Sequence, residues 1–165
     1  MSNKKILLLV LLTSVFISGC IFDKNGNGKQ INESKFIPQK DLPAGFTYMA
    51  THETSVDIGN SSIIAIEGVY RNSKGEDMYV QALEDKSPSA LVNEYKLRYK
   101  DANWDPFEEI FVNGHKATKV KDYTTMNGQQ TPKYSIIWAT EKYMMFVGSS
   151  IDAQSVMNLA SATGI

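Results

Sequence analysis

The stretch FEEIFVNGHKATKVKDY, residues 107–123, decides how the rest of the chain is read. Phe107 to Val112 and His115 to Tyr123 are two β-rich runs. Between them stands Asn113-Gly114, a pair that tolerates positive φ at both positions of a two-residue hairpin turn. A hairpin is therefore predicted here. Downstream, Asn127-Gly128 lies in the loop before a strand from Lys133 to Thr140, in which Tyr134, Ile136 and Trp138 alternate onto one side. Glu141-Lys142 turns that strand into another, Tyr143 to Ser149. Four consecutive antiparallel strands result.

Working outward, Ser87-Pro88 opens a helix, because Ser is a good N-cap and Pro suits the first helical position. Leu91, Val92, Tyr95 and Tyr99 form one apolar stripe that runs to about Lys100. Before this helix, Phe46 to Thr51, Ile63 to Tyr70 and Met78 to Leu83 read as strands, with Asn72-Ser73-Lys74-Gly75 as the turn joining the last two. After the four strands, Asp152 caps a final helix whose Val156, Leu159, Ala160 and Thr163 share a face, and Gly164 ends it. Asp41 to Phe46 marks the domain entry. The expected architecture over 41–165 is α+β, a curved antiparallel sheet with two helices packed on one face. In element order this domain resembles the TATA-binding-protein-like fold and PsbP-type domains, a resemblance that implies no activity.

Composition bounds the function. A chain of 165 residues is long enough for one domain with a real core. Its single Cys cannot close an internal disulfide, and no CxxC pair is present. A net charge of −1 and a pI near 6.1 leave no basic footprint, so nucleic acid is not an expected partner. A mean hydropathy of −0.25 excludes a polytopic membrane protein.

The first residues say where the protein sits. Lys4 and Lys5 precede an apolar run from Ile6 to Ile17 that only Thr13 and Ser14 interrupt. That run is well short of the roughly 20 residues a spanning helix needs, and it has the layout of a secretory signal peptide over residues 1–19. It ends in Ile17-Ser18-Gly19-Cys20. Here the chain resembles the prokaryotic lipoproteins, bacterial and archaeal alike, whose lipobox reads aliphatic, small, Gly or Ala, then Cys. The resemblance implies cleavage between Gly19 and Cys20 and a diacylglycerol on the Cys20 thiol. Two acyl chains suffice for stable anchoring where one does not. The expected location is the extracytoplasmic face of the cell membrane, held through lipid.

Residues 20–40 then read as the lipidated Cys and a flexible linker, rich in Asn, Gly, Lys and Gln, with a reach of about 25 Å. Asp23, Asn25, Asn27 and Gly28 match the opening half of an EF-hand loop. The pattern fails at its twelfth position, where Ser34 stands in place of a bidentate Glu, and at its eighth, which is Gln30. Linker composition accounts for it, and no metal is expected. Asn32 and Asn60 each open an N-x-[ST] sequon, a glycosylation acceptor where the host modifies exported proteins.

Candidate chemistry is sparse. His52 and His115 have no paired-ligand spacing, and zinc needs three or four ligands. Gly148-Ser149-Ser150 lacks the second Gly of a nucleophile elbow, and no Gly-rich phosphate loop occurs. Asp101 to Asp105 surrounds Trp104 with oxygens, either as a ligand-facing loop or as a turn that packs its Trp onto the sheet. Tyr134, Trp138, Tyr143 and Phe146 supply core, or a docking face where one is left uncovered. The expectation is a non-catalytic module without catalytic residue, metal or cofactor, binding an envelope protein or a small ligand beside the membrane. The alternative is a metal-dependent or hydrolytic accessory enzyme of the envelope that uses His52, His115 or the Asp101–Asp105 loop. A third reading is a structural envelope protein. Clustering of the histidines and that loop in one pocket favours the enzyme; their dispersal favours the binding module.

Overall fold

A computed structural model describes residues 35–165. The signal peptide, Cys20, the Asp23–Gly28 pattern and Asn32 lie outside the described residues. The chain order is β1 (Thr47–Ile58), β2 (Ser61–Arg71), β3 (Asp77–Glu84), α1 (Pro88–Leu97), β4 (Phe107–Val112), β5 (His115–Met126), β6 (Gln129–Ala139), β7 (Tyr143–Ser150) and α2 (Ala153–Ala162). All seven strands form one antiparallel sheet in the order β1-β2-β3-β7-β6-β5-β4. Two meanders therefore meet at β3 and β7, and α1 carries the chain from the centre of the sheet to its far edge.

Turn chemistry sets the registers. Asn113 and Gly114 have φ of 48° and 85°, and Asn127 and Gly128 have 51° and 77°, as two-residue hairpins of this type require. The second pair lengthens β6 toward its N-terminus, so that this strand begins at Gln129 instead of Lys133. The same happens to β1, which continues to Ile58 and turns into β2 at Gly59-Asn60, with Gly59 at φ 57°. Asp152 accepts from the Gln154 amide at 3.0 Å and caps α2. Ser87 stands at the α1 N-cap without a side-chain bond; Asp85 instead accepts from the Ser87 amide at 2.6 Å.

The two helices do not share a face, which corrects the expected packing. One core cluster joins Val156, Leu159 and Ala160 of α2 to Ile136, Trp138, Met145 and Val147. The other joins Tyr95, Leu91 and Val92 of α1 to Ile137, Met144, Leu83 and Val120. Adjacent residues such as Ile136 and Ile137, or Met144 and Met145, point to opposite sides of a strand. α1 and α2 therefore cover opposite faces of the sheet. The centre strands are apolar on both sides because both sides are buried.

The core also reaches further toward the N-terminus than Asp41. Ile37 is fully buried, and the Tyr70 hydroxyl donates to the Pro38 carbonyl at 2.8 Å. Phe36 packs against Tyr143 with ring centroids 4.9 Å apart.

The Asn113 turn does more than reverse the chain. The Asn113 side-chain Nδ2 donates to the backbone oxygens of Ser161 at 3.0 Å and Ile165 at 3.3 Å, which ties the β4–β5 hairpin to the end of α2. Replacement by alanine loses both bonds and forces a Cβ residue without Asn's tolerance into positive φ. An unfolding free energy lower by about 1–3 kcal/mol is expected in urea denaturation. Asn113→Gly keeps the backbone freedom and loses only the bonds, so it is expected to cost less. Equal losses for the two variants would mean that backbone conformation contributes nothing.

Candidate functional site

On the α1 face the helix is too short to cover the sheet. Ten helical residues span about 15 Å, whereas a strand of 12 residues runs about 40 Å. α1 seals the end of the face that carries Ile58, Ala65, Leu83 and Met144. Beyond it the face turns polar, and a cleft of about 430 Å³ opens.

Sheet, helix and hairpin each contribute to that cleft. From the sheet come Gln81, Ser135 and Phe146; from α1 and the turn after it come Tyr95, Arg98 and Tyr99. Asp122 on β5 and Lys133 on β6 are cross-strand partners that face the same space. Gly148 makes the floor possible, since a Cβ there would approach the Ser135 hydroxyl to 2.5 Å and the Phe146 ring to 3.3 Å. Burial pushes the pKa of both the Tyr95 and the Tyr99 phenol up, so both stay protonated hydrogen-bond donors. Tyr99 donates to Asp122 at 3.3 Å, and the Arg98 guanidinium lies 5.2 Å from the centroid of the Tyr95 ring.

Behind Gln81 stands a buried carboxylate that the sequence reading missed. Glu67 is 8% exposed and is held between Gln81 Nε2, which donates at 2.5 Å, and His52 Nε2 at 3.1 Å. β1, β2 and β3 bring the three together, for His52 pairs with Glu67 and Glu67 with Gln81 across the sheet. A charged side chain this buried is retained only when its lone pairs are satisfied. The signal in the sequence was an acidic residue inside the otherwise apolar run Ile63 to Tyr70.

The residues singled out from sequence are dispersed. His115 is a cross-strand partner of Val112, which belongs to the α2-side core, so the two histidines lie on opposite faces. Trp104 donates from its ring nitrogen to the Lys121 carbonyl at 3.0 Å and meets Tyr123 edge-on at 5.2 Å. The Asp101–Asp105 loop thus packs its Trp onto the sheet, and it lines a recess that shares Arg98, Tyr99 and Asp122 with the cleft. Tyr134, Trp138 and Tyr143 pack on the α2 side, while Phe146 faces the cleft. The Ser150 hydroxyl donates to Glu76 at 2.6 Å, and Asn60 is exposed at the β1–β2 turn. Among the described residues no three His, Cys, Asp or Glu side chains are grouped to hold a metal ion.

A second recess, on the α2 side, is mostly apolar and much smaller, about 160 Å³ between Phe36, Ile64, Ile66 and Ala82. Beyond shape it offers a ligand the carboxylates of Glu53 and Glu84, which also line it. Comparison of the chain with models of protein families, with characterised proteins and with solved structures gave no match.

Proposed function

We propose that this is a lipid-anchored extracytoplasmic protein whose α+β domain serves as a non-catalytic binding module, with the α1-face cleft as its ligand site. The anchor rests on Ile17-Ser18-Gly19-Cys20 at the end of a basic-then-apolar start. On this reading a signal peptide ends at Gly19, and the residues after Cys20 tether the domain to the membrane.

The observation that carries the binding role is the cleft itself. It is concave, is built on rigid strands, and mixes aromatic walls with several hydrogen-bonding groups, as small-molecule sites do. The placement of His52 and His115 on opposite faces supports binding over a reaction that would need both. Among the described residues the exposed large apolar side chains, Met49, Ile64, Leu97, Phe111, Met126 and Ile151, come from six separate segments, which gives the structural-protein reading little support.

The anchor is tested by intact mass and membrane partition of the native protein beside Cys20→Ser. The wild type is expected with the membrane fraction, at the mass of residues 20–165 plus a diacylglycerol. The variant is expected to lose the lipid mass and to leave the membrane. An unmodified Cys20 thiol in a wild type that does not partition to membranes overturns the reading.

A further inference from the structure

The geometry points to a small organic anion, a carboxylate or phosphate attached to a planar ring, as the ligand of the α1-face cleft. This deepens the binding role proposed above and rests on it.

Charge supplies the first step. Two cations line the cleft, Arg98 and Lys133, and among the described residues neither is ion-paired. Arg98 lies over the Tyr95 ring, an arrangement that leaves its N–H edge available for a bidentate oxyanion. The cleft's carboxylate is already engaged, for Asp122 accepts from the Tyr99 hydroxyl at 3.3 Å and from the Tyr123 amide at 2.7 Å. Glu67, behind the wall, spends its two oxygens on His52 and Gln81. The bonds to Asp122 leave its charge in place, so the cleft lining carries two cations against one carboxylate. In a chain of net charge −1, a concave site whose lining is net positive, with neither cation ion-paired among the described residues, favours an anion.

Hydrogen bonding supplies the second. Ser135 is only 9% exposed, lines the cleft, and has no hydrogen-bond partner for its hydroxyl among the described residues. That hydroxyl opens on the cleft, where a ligand oxygen can replace water as its partner. Ser149 beside it offers a second hydroxyl. The Tyr95 and Phe146 rings, with centroids 5.9 Å apart, give the ring of a ligand an aromatic wall.

The test uses the full chain and three probes that share a phenyl ring and differ in charge, phenyl phosphate, phenyl β-glucoside and benzamidine, followed by amide and side-chain NMR shifts. Phenyl phosphate is expected to saturate shifts at Ser135, Arg98 and Lys133, and to bind more tightly than the neutral or cationic probe. Arg98→Gln and Lys133→Gln are each expected to weaken it by roughly tenfold or more. Asp122→Asn is expected to strengthen it, and Lys86→Gln, outside the cleft, to leave it unchanged. Benzoate and inorganic phosphate then separate the two oxyanion chemistries and the contribution of the ring. Preferential binding of the glucoside or benzamidine at the same residues overturns the anion and leaves the cleft as a binding site. No saturable shift with any probe overturns both.

Discussion

Ile37→Ala is expected to lower the unfolding free energy by about 2–5 kcal/mol, the range for truncating a fully buried Ile or Leu. The residue sits in a seat made for it. A Cβ on Gly68 would come within 2.5 Å of Ile37 Cγ2 and 2.8 Å of the Tyr70 hydroxyl, so only glycine lets the segment 36–38 lie this close to β2. The Tyr70 hydroxyl, whose pKa burial raises, remains a protonated donor and is satisfied by the Pro38 carbonyl. Tyr70→Phe removes that bond and is expected to cost about 1 kcal/mol. Because the two residues share one packing site, the double variant is expected to lose less than the sum of the singles. Urea unfolding followed by Trp fluorescence reads all three. A loss below about 1 kcal/mol for Ile37→Ala would show that the segment adds nothing to the core.

Why the sequence hid this segment is a matter of context. Phe36 and Ile37 stand alone in a polar stretch, and two apolar residues carry no period. The strands declared themselves because both signals were present, alternation along the run and a turn at its end. Asn113-Gly114 therefore bounded β4 and β5 correctly at the hairpin, whereas β1, with alternation blurred by Thr and Ser on both sides, was read too short.

Which face each helix covers was legible in principle. Ile136-Ile137-Trp138 and Tyr143 to Val147 are apolar without a break, and a strand apolar on both sides must be covered on both. The helices, each with one apolar stripe, could supply that cover only from opposite faces. The alternation of Tyr134, Ile136 and Trp138 describes one side of β6 only; Ile137, on the other side, is what requires the second helix.

The cleft was less legible, and for a different reason. Its residues come from β1, β3, β5, β6, β7, α1 and the turn after α1, so no local spacing links them. The Asp101–Asp105 loop drew notice because its polar groups are contiguous, yet it forms only an adjoining recess. Glu67 was passed over since a charged residue on a strand ordinarily faces water. Its burial follows from two cross-strand neighbours, His52 and Gln81, that only the register brings to it.

Glu76→Gln is the other substitution expected to have a large effect, about 2–3 kcal/mol at neutral pH, because the carboxylate joins two parts of the fold through charge-assisted hydrogen bonds. One oxygen accepts from Asn72 Nδ2 and the Ser150 hydroxyl, each at 2.6 Å, and the other accepts from the Ile151 amide at 3.2 Å. The β2–β3 turn is thereby pinned to the junction between β7 and α2. Lys74, paired with Asp152 at 3.1 Å, closes the same seam. A glutamine has one acceptor where the site holds three donors, so its NH₂ must face a donor or turn away, leaving polar groups unpaired. Partial burial works to raise the pKa of Glu76, but hydrogen bonds from Ser150, Asn72 and Ile151 and the charge of Lys74 outweigh it and hold the group below the usual carboxylate range. The sign of the pH effect follows. A depressed folded pKa contributes stability that is complete above the unfolded value, about 4.3, and is lost as pH falls through the lowered folded one. Asp77 and Asp152, whose pKa values are also lowered, titrate in both proteins. The difference between wild type and Glu76→Gln therefore isolates this carboxylate. It is expected to be largest near pH 7 and to shrink below about pH 4, in denaturant midpoints measured across that range. A gap that stays constant with pH would mean that shape, and not the charge of Glu76, holds the seam.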